Sequence, residues 1–172
     1  MRWWVLALSI FVAGCGFQLR GTLTGKLPYQ TLHITLSENT ELGLMLRRYL
    51  GGQRETRLVP TRQEAEAIFE QVGDAREKAI LSVNAQGQVR EYRLQARYSF
   101  RIVDNKGRTL VPVSEITLMR DITFSDSAIL AKGQEENLLW RDINQDLAAQ
   151  IVRRLSIVKP RNPELPVEED DD

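Results

Sequence analysis

The chain has 172 residues, with 23 basic and 23 acidic side chains, one histidine and one cysteine. This composition argues against a zinc or copper site, because such sites are built from several histidine and cysteine ligands. A single cysteine also leaves no internal disulfide, so the fold must be stabilised by packing alone. The balanced charge gives no indication of nucleic-acid binding.

The first fifteen residues have the organisation of a secretory signal that ends in a lipidation site. Arg2 is followed by an apolar stretch from Trp3 to Ala13, far shorter than the ~20 residues of a membrane-spanning helix. Val12-Ala13-Gly14-Cys15 has the aliphatic-small-Gly-Cys pattern of a bacterial lipobox. We therefore expect cleavage before Cys15 and lipidation of its thiol. Gly16, rather than an Asp that would retain the protein in the inner membrane, predicts a lipid anchor on the periplasmic side of the outer membrane.

The composition divides the chain into four segments. Residues 1–14 form the predicted signal peptide, and residues 15–29 a lipidated N-terminus with an extended leader. Residues 30–158 have the length and periodicity of a single α+β domain. Residues 159–172 contain three of the six prolines and six acidic residues, which predicts a disordered acidic tail.

The domain begins with a predicted strand and a predicted helix. Apolar and polar side chains alternate over Thr31–Leu36, which is typical of a strand. Apolar residues then recur at helical spacing over Leu42–Leu50 and predict about three turns of helix, capped by Asn39 and ended by Gly51-Gly52. His33 falls on the polar face of the strand, where we expect a solvated ring rather than a catalytic base or a metal ligand.

Three longer strands are predicted over Ala65–Val83, Tyr92–Val103 and Ser114–Phe124. The turn residues of Asn84–Gly87 and Asp104–Gly107 join them as hairpins, and Gly73-Asp74 indicates a bulge or bend in the first strand. Arg120 interrupts the apolar face of the third strand. A charge there requires either a position near an exposed edge or a paired partner.

A predicted loop from Ser125 to Gly133 leads to the last element. Apolar residues recur at three- and four-residue steps from Trp140 to Leu155, which predicts a helix of about five turns. Glu135 and Glu136 lie at its expected start, where acidic side chains favour the helix dipole. The order β-α-β-β-β-α predicts a two-layer α+β fold: a four-stranded, mostly antiparallel or mixed sheet with both helices on one face.

The sequence contains no arrangement typical of an enzyme. It has no Gly-x-Ser-x-Gly elbow and no second histidine, so we expect neither catalytic residues nor a cofactor. What remains is a row of three arginines, Arg93, Arg97 and Arg101, on one strand face at steps of about 13 Å. Such a row can bind phosphates or carboxylates, or simply keep an exposed sheet face soluble. The pattern alone favours the second interpretation.

The segment Cys15-Gly-Phe-Gln-Leu-Arg-Gly21 resembles the opening of the mature lipoproteins of the LptE family. The similarity continues, in the same element order, through Leu46–Leu50, Glu91-Tyr92, Ile129–Lys132 and Asp146–Leu155. It therefore covers nearly the whole mature domain. The opening motif is fairly specific, whereas the others are weak singly and persuasive together.

The resemblance implies a non-catalytic outer-membrane lipoprotein that plugs the large β-barrel LptD, helps it to fold, and contacts lipopolysaccharide during insertion into the outer leaflet. The fold that it implies is the two-helix, four-stranded α+β domain. The family's suspected ligand-contact lysine corresponds to Lys132. A second basic position of the family falls on Ala85, with Arg90 and Arg93 nearby. The resemblance thus makes Lys132, Arg90, Arg93 and Arg97 the candidate lipopolysaccharide-binding residues.

A different function remains open at this point. A lipid-tethered periplasmic scaffold that binds a soluble or peptidoglycan-associated partner would have the same anchor and the same kind of domain.

Overall fold

A computed structural model describes residues 27–53, 55–125 and 128–157. The predictions for the signal peptide, for Cys15, for the leader up to residue 26 and for the acidic tail lie outside these residues. The described elements, in chain order, are β1 (Thr31–Ile34), α1 (Glu41–Gly51), β2 (Arg57–Leu58), β3 (Ala67–Val83), β4 (Val89–Val103), β5 (Thr109–Thr123) and α2 (Ile129–Ile157).

The strands form one mixed sheet in the order β2-β1-β3-β4-β5. Strand β1 runs parallel to both β2 and β3, whereas β3, β4 and β5 form an antiparallel meander. The predicted α+β class is confirmed, but the sheet has five strands rather than four. The missed strand is β2, whose two residues are too few to show an alternating pattern.

Both helices pack on the same face of this sheet, as predicted. Helix α1 contributes Leu42, Leu46 and Leu50 to the core, and α2 contributes a longer stripe: Ile143, Leu147, Ala148, Ile151, Val152 and Leu155. These side chains meet the alternate residues of β4, from Leu94 to Ile102, which are all buried. Burial of each large apolar side chain stabilises the fold by about 1.5–3 kcal/mol, so this layer dominates the stability of the domain.

The N-cap of helix α1 lies one residue after the predicted one. Thr40, rather than Asn39, is the N-cap: its side-chain oxygen accepts a hydrogen bond from the Gly43 N–H at 3.1 Å. The Asn39 prediction was wrong because both residue types cap well and spacing alone does not separate neighbours. Arg47 then fixes the helix to the end of β1 by donating to the Leu36 carbonyl oxygen at 2.8 Å.

Helix α2 is longer than predicted. It begins at Ile129, so most of the predicted Ser125–Gly133 loop is helical, and no acidic residue lies in its first turn. The prediction failed because Ile129 and Leu130 are exposed, 58% and 86% respectively, and therefore show no buried stripe. Among the described residues, no helix is both long and apolar enough to cross a bilayer.

The two hairpins use the same turn. The side-chain oxygen of Asn84 accepts hydrogen bonds from the N–H groups of Gln86 and Gln88, and Asp104 does the same for Lys106 and Arg108. Each turn closes on a glycine at positive φ, 79° at Gly87 and 83° at Gly107, a conformation that other residues adopt with strain.

The strand bounds differ modestly from the prediction. The bulge expected near Gly73 is confirmed, because the β3–β4 register shifts between Gln71 and Gly73. Strand β5 starts at Thr109, five residues before the predicted Ser114. Pro112 hides this start in the sequence, since proline is tolerated in a strand only where no ladder hydrogen bond is needed, as at an edge.

Strand β5 forms one edge of the sheet, and arginine side chains cover part of it. Arg154 of α2 donates to the Glu115 carbonyl oxygen at 2.7 Å, and Arg120 donates to the Met119 carbonyl oxygen at 2.9 Å. Arg120 also forms an ion pair with Asp146 of α2. The charge that interrupts the apolar face is therefore both near an edge and paired.

A small polar network joins α1, α2 and β3 within the helix layer. Asn144 is only 4% exposed, and its amide nitrogen donates to Glu41 at 2.5 Å. Its amide oxygen accepts from Arg76 at 2.8 Å, and the Arg76 guanidinium lies 5.7 Å from the Trp140 ring centroid. Because buried polar groups destabilise unless they are paired, Asn144 fixes how the two helices meet the sheet.

We expect Asn144→Ala to lower the free energy of unfolding by about 1–3 kcal/mol, because it leaves the Glu41 and Arg76 side chains without this partner. Chemical denaturation measures the change. Asn137→Ala, at an exposed position of the same helix, is the matched control and should leave stability nearly unchanged. An equal effect of the two substitutions would contradict the role given to Asn144.

The Asp104 turn should make part of the stability depend on pH. Burial alone would raise the pKa of Asp104, but hydrogen bonds from the Arg108 side chain and from the N–H groups of Arg108 and Lys106 lower this pKa below its usual range. The charged form is thus favoured by folding. Its contribution is present above the ordinary carboxyl pKa of about 4 and is lost as the pH falls through the lowered pKa of the folded state.

Asp104→Asn keeps an acceptor for the turn, as Asn84 does in the other hairpin, but removes the titrating charge. We expect the melting temperature of the variant to lie below that of the wild type at pH 7. The difference should shrink as the pH falls below about 4, where the unfolded wild-type chain takes up a proton at this carboxyl, and should be lost as the pH passes the lowered pKa of the folded state. Thermal melts followed by circular dichroism at several pH values test this, and a difference that does not change with pH would contradict it.

Candidate functional site

The inner face of the sheet, the one that carries the helices, ends in a hollow near the first turns of α2. We call it the Lys132 hollow; its volume is about 150 Å³, and its lining includes Lys78, Tyr92, Ile122, Phe124, Ile129 and Lys132. Strands β3, β4 and β5 supply one wall, and α2 supplies the other. The hollow exists because α2 starts beside the last residues of β5 and leaves the end of the sheet only partly covered.

Aromatic and aliphatic side chains form the base of the hollow. The rings of Tyr92 and Phe124 meet edge to face, with centroids 5.4 Å apart and an angle of 84° between their planes. Phe124 is held by a hydrogen bond from its N–H to the Arg90 carbonyl oxygen at 2.7 Å. Ile122 lies opposite Tyr92 in the β4–β5 register and is buried. The base is thus apolar and fixed by strand pairing.

Two lysines lie at the wall of the hollow. Lys132 donates to the Thr123 hydroxyl oxygen at 2.9 Å and to the Glu135 carboxylate at 2.7 Å. Lys78 donates to the Glu136 carboxylate at 2.6 Å, and its ammonium lies 4.4 Å from the Tyr92 ring centroid. The site therefore combines two cations with an aromatic surface, and each cation has one carboxylate neighbour.

Exposed apolar side chains continue the hollow outward. Ile80 lies opposite Tyr92 in the β3–β4 register and is 60% exposed, while Ile129 lines the hollow itself. Single exposed apolar residues are common on protein surfaces, but here they adjoin paired cations. The combination suits a ligand that carries negative charge and hydrocarbon in the same molecule.

The structure separates the four predicted binding residues into two groups. Lys132 lines the hollow, and Arg90 lies in β4 two residues before Tyr92, at the point where the β3–β4 register shifts. Among the described residues, the Arg90 side chain has no ion-pair partner. Arg93 and Arg97 alternate with the buried residues of β4 and therefore belong to the opposite, open face of the sheet.

The arginine row of the open face is paired with carboxylates along its length. Arg93 makes two hydrogen bonds to Asp121, at 2.8 and 2.9 Å, which raise the pKa of Arg93 and lower that of Asp121. Arg97 lies 3.5 Å from Glu115. The row is therefore not an unbalanced positive surface, and at this face the arginines and acids alternate.

Arg101, the last member of the row, shares Glu70 with Arg62. Partial burial alone would raise the pKa of Glu70, but the hydrogen bonds from Arg101 and Arg62 lower it below its usual range. At this end of the row, two half-exposed arginines therefore share a single glutamate.

Sequence analysis did not find Lys78 or Tyr92 as site residues. Lys78 lies on the inner face because the bulge between Gln71 and Gly73 shifts the β3–β4 register, and the sequence indicated a bulge or bend there without showing which side chains it turns inward. Tyr92 was identified only as a core-facing residue of its strand. The signal that points to both is the pairing of β3 with β4, which a single sequence does not provide.

The remaining candidates show no catalytic arrangement. His33 is half-buried rather than fully solvated: its Nδ1 lies 3.1 Å from the Val59 carbonyl oxygen, where a protonated Nδ1 donates a hydrogen bond. Within the described ranges, no group of three or more histidine, cysteine or acidic side chains is placed to hold a metal ion. A larger cavity of about 660 Å³ is lined by residues 27–31 with Glu55 and Arg57. Its lining has one acidic and one basic residue, whereas the Lys132 hollow has two lysines.

Comparison with known sequences identifies relatives of this chain. The sequence model of the LptE family, described as lipopolysaccharide-assembly, matches residues 29–155. The LPS-assembly lipoprotein LptE of Pectobacterium atrosepticum is 26% identical over 156 residues, which cover 88% of this chain and 82% of the relative. The protein of the same name from Yersinia enterocolitica is 27% identical over 161 residues, covering 90% and 74%.

Solved structures of lipoproteins share the fold. An uncharacterized lipoprotein B from Nitrosomonas europaea has a TM-score of 0.69 at 35% identity, covering 82% of this chain and 90% of its own. The rare lipoprotein B of Shewanella oneidensis has a TM-score of 0.63 at 24% identity, covering 73% and 93%, and supports the fold alone. The family match spans well over half of the chain, so this protein belongs to the LptE family of lipopolysaccharide-assembly lipoproteins.

Proposed function

We propose that this protein is anchored through Cys15 on the periplasmic side of the outer membrane, plugs the LptD barrel and helps it to assemble, and contacts lipopolysaccharide at the Lys132 hollow. Membership in the LptE family supports a role in lipopolysaccharide assembly. The observation that carries the ligand contact is the position of Lys132 and Lys78 beside Tyr92, at the rim of an apolar hollow.

The chemistry of the hollow matches that of lipopolysaccharide. The lipid A part of this ligand carries phosphate groups close to acyl chains. Ammonium groups bind phosphate by charge-assisted hydrogen bonds, and Lys132 and Lys78 offer two such groups at the hollow, with Arg90 in the same strand as Tyr92. The exposed Ile80 and Ile129 side chains offer apolar contact for the chains.

The open face of the sheet, which the helices do not cover, has the polar character that contact with a barrel interior requires. Its alternating arginines and acids, such as Arg93 with Asp121, form a flat polar surface without excess charge. The interior of an outer-membrane barrel is itself polar, so a plug requires this kind of surface rather than an apolar one. In this proposal Arg93 and Arg97 contribute to the barrel contact, whereas Lys132 and Arg90 contribute to the ligand contact.

The barrel contact is tested by purifying the full-length protein from gently solubilised membranes through a tag after residue 172. We expect one large β-barrel protein to co-purify at equal stoichiometry and to remain bound at high salt, because a plug is surrounded by its partner. Recovery with soluble periplasmic proteins that salt removes would contradict the plug and favour the tethered scaffold.

The ligand contact is tested by Lys132→Asp, with Lys106→Asp in the β4–β5 hairpin as the control of equal charge change. Loss of a charge-assisted hydrogen bond is worth about 1.5–3 kcal/mol, so we expect binding of purified lipopolysaccharide to weaken about 10- to 100-fold only in the Lys132 variant. Lys132 lies on the surface of α2, so both variants should fold normally, which circular dichroism checks. Normal binding by Lys132→Asp would make it an ordinary structural residue.

A further inference from the structure

Both lysines of the hollow are already engaged by acidic side chains of α2. Glu135 accepts from Lys132 at 2.7 Å, and the next residue, Glu136, accepts from Lys78 at 2.6 Å. Each carboxylate therefore occupies one of the positions next to its ammonium group that an incoming phosphate could take. One helical turn thus supplies both the cation Lys132 and the two anions.

We propose that Glu135 and Glu136 are internal competitors for the two lysines, and that the phosphate groups of lipopolysaccharide displace them. This inference rests on the proposed function, and it adds an explanation of how tightly the hollow binds lipopolysaccharide. Binding exchanges two internal ion pairs for two ligand ion pairs, so the net gain is smaller than that of two free lysines. The site therefore binds lipopolysaccharide weakly and releases it readily, as a transfer step requires.

The lysines do not depend on the carboxylates for their positions. Lys132 also donates to the Thr123 hydroxyl oxygen at 2.9 Å, and Lys78 also lies 4.4 Å from the centroid of the Tyr92 ring. Each ammonium thus has a second, uncharged contact that holds it at the hollow. Without the two glutamates, both lysines would therefore remain in position at the hollow, with no carboxylate competing for them.

The two ion pairs also contribute little to the fold. The side chains of Lys78 and Glu136 are 37% and 25% exposed, and those of Lys132 and Glu135 are 21% and 46% exposed. Water screens pairs of this kind, and measured contributions of such surface pairs to stability are small. The carboxylates can therefore be neutralised without disturbing the domain.

The test is the double variant Glu135→Gln/Glu136→Gln in the full-length protein, with purified lipopolysaccharide as the probe. Glutamine keeps the shape of each side chain and removes its charge. We expect the dissociation constant to fall about five- to tenfold relative to the wild type, from release of the two competing pairs. Adding Lys132→Ala to the double variant should abolish this increase in affinity.

The matched control removes the same two charges at positions away from the hollow. Glu77→Gln/Asp142→Asn changes one exposed residue of β3 and one of α2, neither of which has a salt-bridge partner among the described residues. We expect its affinity to stay within about twofold of the wild type, since remote charges are screened. Equal tightening in the control would show a general charge effect and overturn the proposal.

Two other outcomes separate this inference from the proposed function. If the Gln variant binds like the wild type while Lys132→Asp still weakens binding, the competitor role is wrong and the ligand contact stands. If neither the wild type nor the Gln variant binds lipopolysaccharide, both the competitor role and the ligand contact are wrong.

Discussion

Burial of one side of α2 against the inner face of the sheet is the interaction on which the rest of the domain depends. The β3–β4–β5 meander is long, with strands of 15 to 17 residues, and α1 alone is too short to cover it. A helix of 29 residues, about 43 Å, matches such a sheet. Without a disulfide among the described residues, this contact carries most of the apolar burial that offsets chain entropy.

The contact between α2 and the sheet changes from apolar to polar along the helix, and the candidate site lies at its polar end. Where α2 meets the middle of the sheet, the contact is apolar, and Leu147 belongs to the same buried cluster as the inner residues of β4. Towards its N-terminus, polar side chains of the sheet face polar side chains of the helix, as with Arg76 and Asn144 or Lys78 and Glu136. The hollow lies where this polar part of the layer ends.

Much of the fold could be predicted from the sequence, because periodicity and turn chemistry are local properties. The order of the six predicted elements, the bulge at Gly73 and both hairpins were predicted correctly for this reason. Strand β2 was missed because two residues show no period, and the start of α2 was missed because its first apolar residues are exposed. Neither feature depends on local sequence alone.

The site was only partly predictable. Lys132 entered through its resemblance to a family motif, whereas Lys78 required the register between two strands with bulges. The arginine row of β4 was visible as a pattern, but its carboxylate partners lie 28 residues away in Asp121 and 31 residues away in Glu70. Periodicity finds which side chains share a face and does not find what lies across from them.

The arginine-covered edge of β5 affects how this domain interacts with other β-strands. An added strand pairs through the carbonyl oxygens of an open edge, and here guanidinium groups of Arg154 and Arg120 already occupy those of Glu115 and Met119. An added strand would therefore leave its own N–H groups unpaired at these two positions, which lie four residues apart. A domain proposed to work beside an assembling β-barrel can thus sit among unpaired strands without templating their addition to its own sheet.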